Sequence, residues 1–222
     1  MSGRMIMVVA AHPDDETFGC GGTLAQHVLN GHPASIVVLT CSEKARKGEL
    51  VKASKILGIK DPIVFEEDEL AFQGETVHRL AEIFILKKPE IVVTHLPWDY
   101  HREHRASYEI VKDAIEWAAH TTAYENAWRV SRLLLMEINT MIPTPHVLVD
   151  ISEVFDRKLK AMDCYPSQLA KFPEGYYQSF NRAKAELRGA QGRCLHAEAF
   201  LEDPLARNSP FFRIRSTRSL FD

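Results

Sequence analysis

The sequence predicts an α/β protein: a single domain with an open, mostly parallel sheet and helices on both faces. Three observations carry that expectation. Short runs of apolar residues, many of them β-branched, recur at Ile6–Ala11, Ala34–Thr40 and Glu90–His95. They run apolar without alternation, as strands covered on both faces do. Between them lie segments with apolar residues at helical spacing. Finally, the polar chemistry is concentrated just after two of these runs, where open parallel sheets place their ligands.

The elements follow in order. After the first strand, Cys20–Asn30 is expected to be helical, with Leu24/Val28 and Ala25/Leu29 four apart and Gly31 as the stop. Ala34–Thr40 is the second strand, and Glu43–Leu57 is a charged amphipathic helix closed by Gly58. Ile63–Phe65 is a short third strand, and Val77–Leu86 a helix with Leu80, Ile83 and Phe84 inward. Glu90–His95 is the fourth strand. The helix after it runs to about Ala119, with Ile110, Val111, Ala114 and Ile115 as its buried stripe. Strands at Arg132–Ile138 and Val147–Ile151 come next, then a helix over Ser152–Met162 and a helical segment around Ala183–Ala190. The pattern fades after Phe200, so residues 1–200 are read as the domain and 201–222 as a C-terminal tail.

Composition narrows the function classes. The chain has 222 residues, 45% apolar and 26% charged, which is enough for a substantial core. A net charge of −3 gives no footprint for nucleic acid. No apolar run approaches the roughly 18 residues needed to span a bilayer, and the start does not resemble a signal peptide. The four cysteines (20, 41, 164 and 194) are scattered, which suits a reduced, cytoplasmic protein and argues against a thiolate zinc site.

The chain is organised around His12-Pro13-Asp14-Asp15-Glu16, which follows the first apolar strand directly. Burying unpaired carboxylates is costly, so such a cluster needs a cation, backbone donors or water. The second concentration is Leu96-Pro97-Trp98-Asp99-Tyr100-His101-Arg102-Glu103-His104-Arg105, after the fourth strand. In the common strand order 3-2-1-4-5 these strands are neighbours, so the two clusters should meet. His12 and Asp15, three residues apart, can point to one side of a first helical turn, with Pro13 at its first position. With His104 they make two histidines and one carboxylate, a familiar catalytic zinc set that leaves a position for water. The same set also suits Fe2+ or another divalent ion. Asp14 is then free to take a proton from the activated water, and His101 could polarise a carbonyl and protonate a leaving group. Helix capping and the macrodipole alone would also favour the acidic residues, and His101-x-x-His104 alone could be a solvated face.

These residues carry a resemblance. Ala11-His12-Pro13-Asp14-Asp15-Glu16 with Gly21-Gly22, Thr40, and Tyr100-His101-x-x-His104-Arg105-Ala106 resemble the PIG-L / LmbE-like family. Arg46-x-x-Glu49, Ser167-Gln168 and Ala197-Glu198-Ala199-Phe200 extend it over most of the chain. The resemblance implies a Rossmann-like fold and a zinc-dependent deacetylase acting on N-acetylglucosamine-type groups. It implies His12, Asp15 and His104 as zinc ligands, Asp14 as general base, and His101 as the residue assisting the tetrahedral intermediate. Arg46 would contact substrate, and a homo-oligomer would be common. The chain departs from the family at Glu103, where an aspartate is usual, and at Thr40-Cys41-Ser42, where Thr-Asp-Gly is usual. It also has Cys164-Tyr165-Pro166 where a histidine is expected near Ser167-Gln168.

The function expected is therefore removal of an acetyl group from a small N-acetylated sugar or glycoconjugate. Alternatives are an amidase cleaving a larger amide, and a nucleotide- or sugar-binding module without catalysis, suggested by Gly19-Cys20-Gly21-Gly22. Specificity should lie in the loops after the strands, including Asp68–Glu75, whose aromatics (Phe72, Trp98, Tyr100, Tyr176 and Tyr177) could stack on a sugar ring or simply pack.

Overall fold

A computed structural model describes residues 3–205, apart from 42, 68–69, 71–73 and 173. Residues 206–222 of the expected tail, Phe72 and most of the Asp68–Glu75 loop lie outside the described residues. Seven strands form one sheet: β1 (Ile6–Ala10), β2 (Ala34–Thr40), β3 (Ile63–Glu67), β4 (Ile91–Thr94), β5 (Arg132–Met136), β6 (Val147–Asp150) and β7 (Ala197–Asp203). Their order is β3-β2-β1-β4-β5-β7-β6. Pairing is parallel from β3 to β5, while β7 lies antiparallel between β5 and β6. β1 is central, with Val8 opposite Ile36 on one side and Val93 on the other. The neighbouring positions of strands 1 and 4 inferred from the sequence are thus the observed ones.

Strand side chains alternate between faces, and β1 therefore feeds two cores. Ile6, Val8 and Ala10 pack with Leu24, Leu50, Leu57 and Met162. Met7 and Val9 pack with Leu80, Phe84, Ile110 and Val111. The first core is roofed by α1 (Asp15–Leu29), α2 (Lys44–Leu57), α5 (Phe155–Met162) and α7 (Tyr176–Gly192), the second by α3 (Gly74–Lys87) and α4 (Arg102–Ala118). The short helix α6 (Pro166–Leu169) lies between α5 and α7. Gly58 ends α2 in the left-handed conformation, the usual glycine stop.

Two elements differ from expectation. The first helix begins at Asp15, not Cys20, and its backbone breaks at Cys20 (φ −143°). Buried charges stitch the break. Lys158 Nζ donates to the Phe18 carbonyl (3.0 Å), and the Glu198 carboxylate accepts from the Gly22 (3.0 Å) and Thr23 (2.7 Å) amides. The second half of α1 thus has its own capping carboxylate. Glu198 belongs to β7, which the sequence hides: a buried charge interrupts what would otherwise read as an apolar strand. β7 also runs three residues past the boundary expected at 200.

The glycines of α1 serve packing. A Cβ at Gly19 would stand 2.6 Å from Met136 Sδ, and one at Gly22 would stand 2.6 Å from Ile151 Cδ1. They sit inside a helix pressed on the sheet, and they do not form the phosphate-cradling turn of a nucleotide site.

Candidate metal centre and active site

The site forms where β1 ends between β2 and β4, the point at which the chain switches from one side of β1 to the other. Ala11 fixes this junction. Its carbonyl accepts from the Thr40 amide (2.9 Å) and hydroxyl (2.7 Å), and its amide donates to His95 Nε2 (2.8 Å). The next residues turn sharply. Asp14 has φ 117° and ψ −36°, whereas the other non-glycine residues with positive φ (Asp61, Lys88, Glu174 and Arg193) lie at φ 50–61°. Such a conformation costs on the order of 1–3 kcal/mol and must be held by its surroundings. The Asp14 amide donates to Glu16 Oε2 (3.0 Å), and its carbonyl accepts from the Thr17 and Phe18 amides (3.0 and 2.9 Å). Arg46 reaches over from α2 to the Pro13 carbonyl (2.6 Å) and Asp14 Oδ1 (3.3 Å). Pro13 accordingly lies before the helix, not at its first position.

Asp15 is the centre of convergence. It is 5% exposed, and its Oδ2 accepts from the His12 amide (2.9 Å). The same oxygen faces His12 Nδ1 at 3.1 Å and His104 Nε2 at 3.3 Å. Ligands around a tetrahedral ion about 2.0–2.1 Å away stand at comparable separations. The outer nitrogens meet carboxylates: His12 Nε2 lies 2.7 Å from Glu103 Oε2, and His104 Nδ1 lies 3.2 Å from Asp99 Oδ1. A carboxylate behind each imidazole is the usual support of a metal-binding histidine. Glu103 is itself fixed, because its other oxygen accepts from the Leu70 amide (2.8 Å). The residue that departs from the family pattern therefore supports His12 directly. His12 Nδ1 and His104 Nε2 thus both stand beside one oxygen of Asp15, nitrogen and oxygen donors of the kind a divalent ion takes.

Two further histidines complete the site. His101 is the N-cap of α4: its Nδ1 accepts from the Glu103 amide (3.3 Å), leaving Nε2 as the protonated nitrogen of the neutral ring. Its ring lies 5.0 Å from that of His12 and 4.8 Å from that of His104. His12, His101 and His104 offer ligand atoms within 4.8 Å of one another, as do Asp15, His95 and His104. His95, however, uses its Nε2 lone pair to accept from Ala11, so it lacks a free donor atom on that side. It stacks on His104 at 4.0 Å and 25° and holds that ring in place.

The electrostatics divide neighbouring groups. Burial, reinforced by the Asp15 charge, raises the Asp14 carboxyl well above the usual range, against the pull of Arg46. Burial would also raise Asp15, but the His104 charge and hydrogen bonds from His104 and His12 carry it well below that range. Burial lowers His95 to about 3 and keeps it neutral, as its acceptor role requires. For His104 burial is outweighed by Asp15 and Asp99, which lift it to about 10.

Of the residues expected from sequence, His12, Asp14, Asp15, His101, His104 and Arg46 come together. Trp98 and Tyr100 stand outside this cluster, 49% and 71% exposed, with the Tyr100 ring 6.1 Å from His101. The sequence reading does not single out His95 and Asp99 as site residues. A histidine immediately after β4, and an aspartate two residues before His101, are the available signals. A cavity of about 680 Å³ opens at the far end of α4, lined by Lys112, Ile115, Ala119 and Val130, and holds none of these groups.

Residues 7–115 match the family model described as PIG-L, GlcNAc-PI de-N-acetylase. That span carries a PIG-L family domain. It is 27% identical over 191 residues to the probable N-acetyl-alpha-D-glucosaminyl L-malate deacetylase 2 of Bacillus anthracis, covering 75% of this chain and 82% of that protein. It is also 24% identical over 217 residues to the 4-oxalmesaconate hydratase of Pseudomonas putida, covering 86% and 81%. Among solved structures, the conserved protein TT1542 from Thermus thermophilus superimposes with a TM-score of 0.83 at 28% identity, covering 94% of this chain and 99% of its own. No helix among the described residues is long and apolar enough to cross a membrane, and all four cysteines are free thiols.

Proposed function

We propose that this PIG-L protein is a zinc-dependent N-deacetylase that hydrolyses the acetamide of an N-acetylated amino sugar, releasing acetate and the free amine. The observation that carries the reading is the doubly supported donor set. The inner nitrogens of His12 and His104 converge on Asp15 Oδ2, while Glu103 and Asp99 stand behind the two rings. His12, Asp15 and His104 would hold the ion, which when bound supplies Lewis acidity and makes water a nucleophile near neutral pH. Ferrous iron suits the same ligands, so metal identity is part of the test.

The remaining work falls to the chain's own side chains. Asp14 takes a proton from the attacking water as its oxygen adds to the acetamide carbon. Its carboxyl and that of Asp15 are pushed in opposite directions, the pattern by which adjacent carboxylates take different roles. His101, its Nδ1 tied to the Glu103 amide, presents an Nε2–H to the oxyanion. The proton taken by Asp14 passes to the nitrogen as the C–N bond breaks, giving the amine. Arg46 orients Asp14 and contacts the substrate, and Trp98 and Tyr100 flank the sugar from outside the cluster.

Likeness to the 4-oxalmesaconate hydratase over most of the chain supports a second reading, in which water adds across a carbon–carbon double bond of an unsaturated oxo acid with Asp14 as the base. Incubation of zinc-loaded protein with N-acetylglucosamine derivatives, with acetate and amine measured in equal amounts, supports deacetylation. Absence of acetate release, together with loss of the ultraviolet absorbance of 4-oxalmesaconate, would transfer the assignment to hydration.

A further inference from the structure

Asp14 is a non-glycine residue held at φ 117°. The amide of that residue is gripped by Glu16, which is wholly buried. Glu16 does not stand alone. Its other oxygen accepts a 2.6 Å hydrogen bond from the Tyr165 hydroxyl and another of 2.6 Å from Thr17 Oγ1. Glu16 thus bridges Tyr165 on one oxygen and the Asp14 backbone on the other.

Tyr165 is built to be rigid. It is fully buried and meets Phe18 edge to face at 6.2 Å. It forms the N-cap of α6, where its carbonyl accepts from the Gln168 and Leu169 amides (both 3.0 Å). The start of α6 is pinned in turn by Glu49 of α2, which accepts from the Ser167 amide (3.1 Å) and hydroxyl (2.6 Å). A hydroxyl so anchored cannot drift to follow Glu16, so Glu16 must adapt to it. Without that hydroxyl, only Thr17, the next residue of the same turn, would fix the oxygen of Glu16 that faces away from the Asp14 amide.

We propose that Tyr165 is a positioning residue: its hydroxyl orients the Glu16 carboxylate, and Glu16 in turn holds the Asp14 backbone in the conformation that presents the Asp14 side chain to the metal-ligand cluster and Arg46. The proposal rests on the reading of Asp14 as the base, but one arm of its test does not.

The experiment compares Tyr165→Phe with the parent, both zinc-loaded, with Glu16→Gln as a second variant. Hydrogen exchange of the Asp14 amide is read by NMR, alongside kcat, KM and metal content. Tyr165→Phe should speed exchange at Asp14 by about tenfold or more while amides of β1 stay protected. It should lower kcat about tenfold with KM and zinc content unchanged, the signature of an interaction felt only in the transition state. Glu16→Gln should show both effects at least as strongly. Unchanged exchange at Asp14 in Tyr165→Phe, or exchange that rises equally throughout the domain, would mean that Tyr165 merely packs. Faster Asp14 exchange with unchanged kcat would also overturn the proposal. If the parent itself releases no acetate, the deacetylase reading fails and the exchange arm alone decides whether Tyr165 holds the turn.

Discussion

Two groups of buried charges lie in this molecule, and they are closed in different ways. Under β5 and β7, Lys158 pairs with Glu198 at 2.7 Å and Arg188 forks onto Glu137. The remaining capacity goes to backbone: Glu198 to the Gly22 and Thr23 amides, Arg188 to the Ile142 carbonyl (2.7 Å), Lys184 to the Glu137 carbonyl (2.9 Å). At the end of β1, by contrast, Asp15, Asp99 and Glu103 stand against imidazoles, with the Arg46 guanidinium on Asp14 and Glu16 on the Asp14 amide. In the first group each carboxylate is paired directly with a lysine or an arginine. In the second, Asp15, Asp99 and Glu103 lean on histidines. Buried charge completed by fixed partners is architecture, whereas buried carboxylate left to imidazole is a place for a cation.

The largest expected effect comes from Asp14→Asn, which should lower kcat/KM by roughly 10²–10⁴-fold, the range for losing a general base. Zinc content and unfolding midpoint should stay near those of the parent. Breaking the interior group should do the reverse. Lys158→Met leaves Glu198 buried and unpaired, so urea unfolding should show a loss of about 3–5 kcal/mol, with activity per folded molecule retained. The double variant Lys158→Met/Glu198→Gln should recover part of that loss. If Lys158→Met abolished metal binding and left stability intact, the division between the two groups would collapse.

How much of this is legible in the sequence differs between the same two regions. The site can be read because its residues are contiguous: His12 to Glu16 and Trp98 to His104 each follow an apolar strand, and strand order brings them together. What escapes is the support. His95 looks like the last residue of a strand until its bond to the Ala11 amide is seen, and Tyr165 is 149 residues from the carboxylate it binds. The interior group escapes altogether. Glu198 sits in a strand, Lys158 and Lys184 in helices, and their partners lie 40 or more residues away. A charged residue in an amphipathic pattern reads as solvated, and nothing local announces that it is buried. The start of α1 is misplaced for a related reason, since the break at Cys20 is made tolerable by Lys158 and Glu198 from elsewhere in the chain.

Chelation sharpens the comparison at intermediate size. Zinc in solution at about a hundredfold over its dissociation constant stabilises by roughly 2.7 kcal/mol, so removing it should lower the unfolding midpoint of the parent. Lys158→Met should respond by the same shift, because its lesion lies outside the metal centre.

The smallest effect is a pH slope. Burial, with the neighbouring Lys158 charge, depresses Lys184 from 10.5 to about 7 in the folded protein. Between those values the unfolded chain holds the proton more often than the folded one, so stability should rise as pH increases from 7 toward 10. Lys184→Met should remove that contribution from the stability profile, while an unchanged profile would show that Lys184 remains charged when buried.

The most direct test of the central claim is elemental analysis of the purified protein after incubation with zinc, compared with Asp15→Ala and His104→Ala. Close to one equivalent of zinc is expected in the parent and little in either variant, because Asp15 comes from the end of β1 and His104 from the end of β4. A parent that takes up no divalent metal, or variants that keep it, would contradict the reading that the ends of β1 and β4 together build a metal centre.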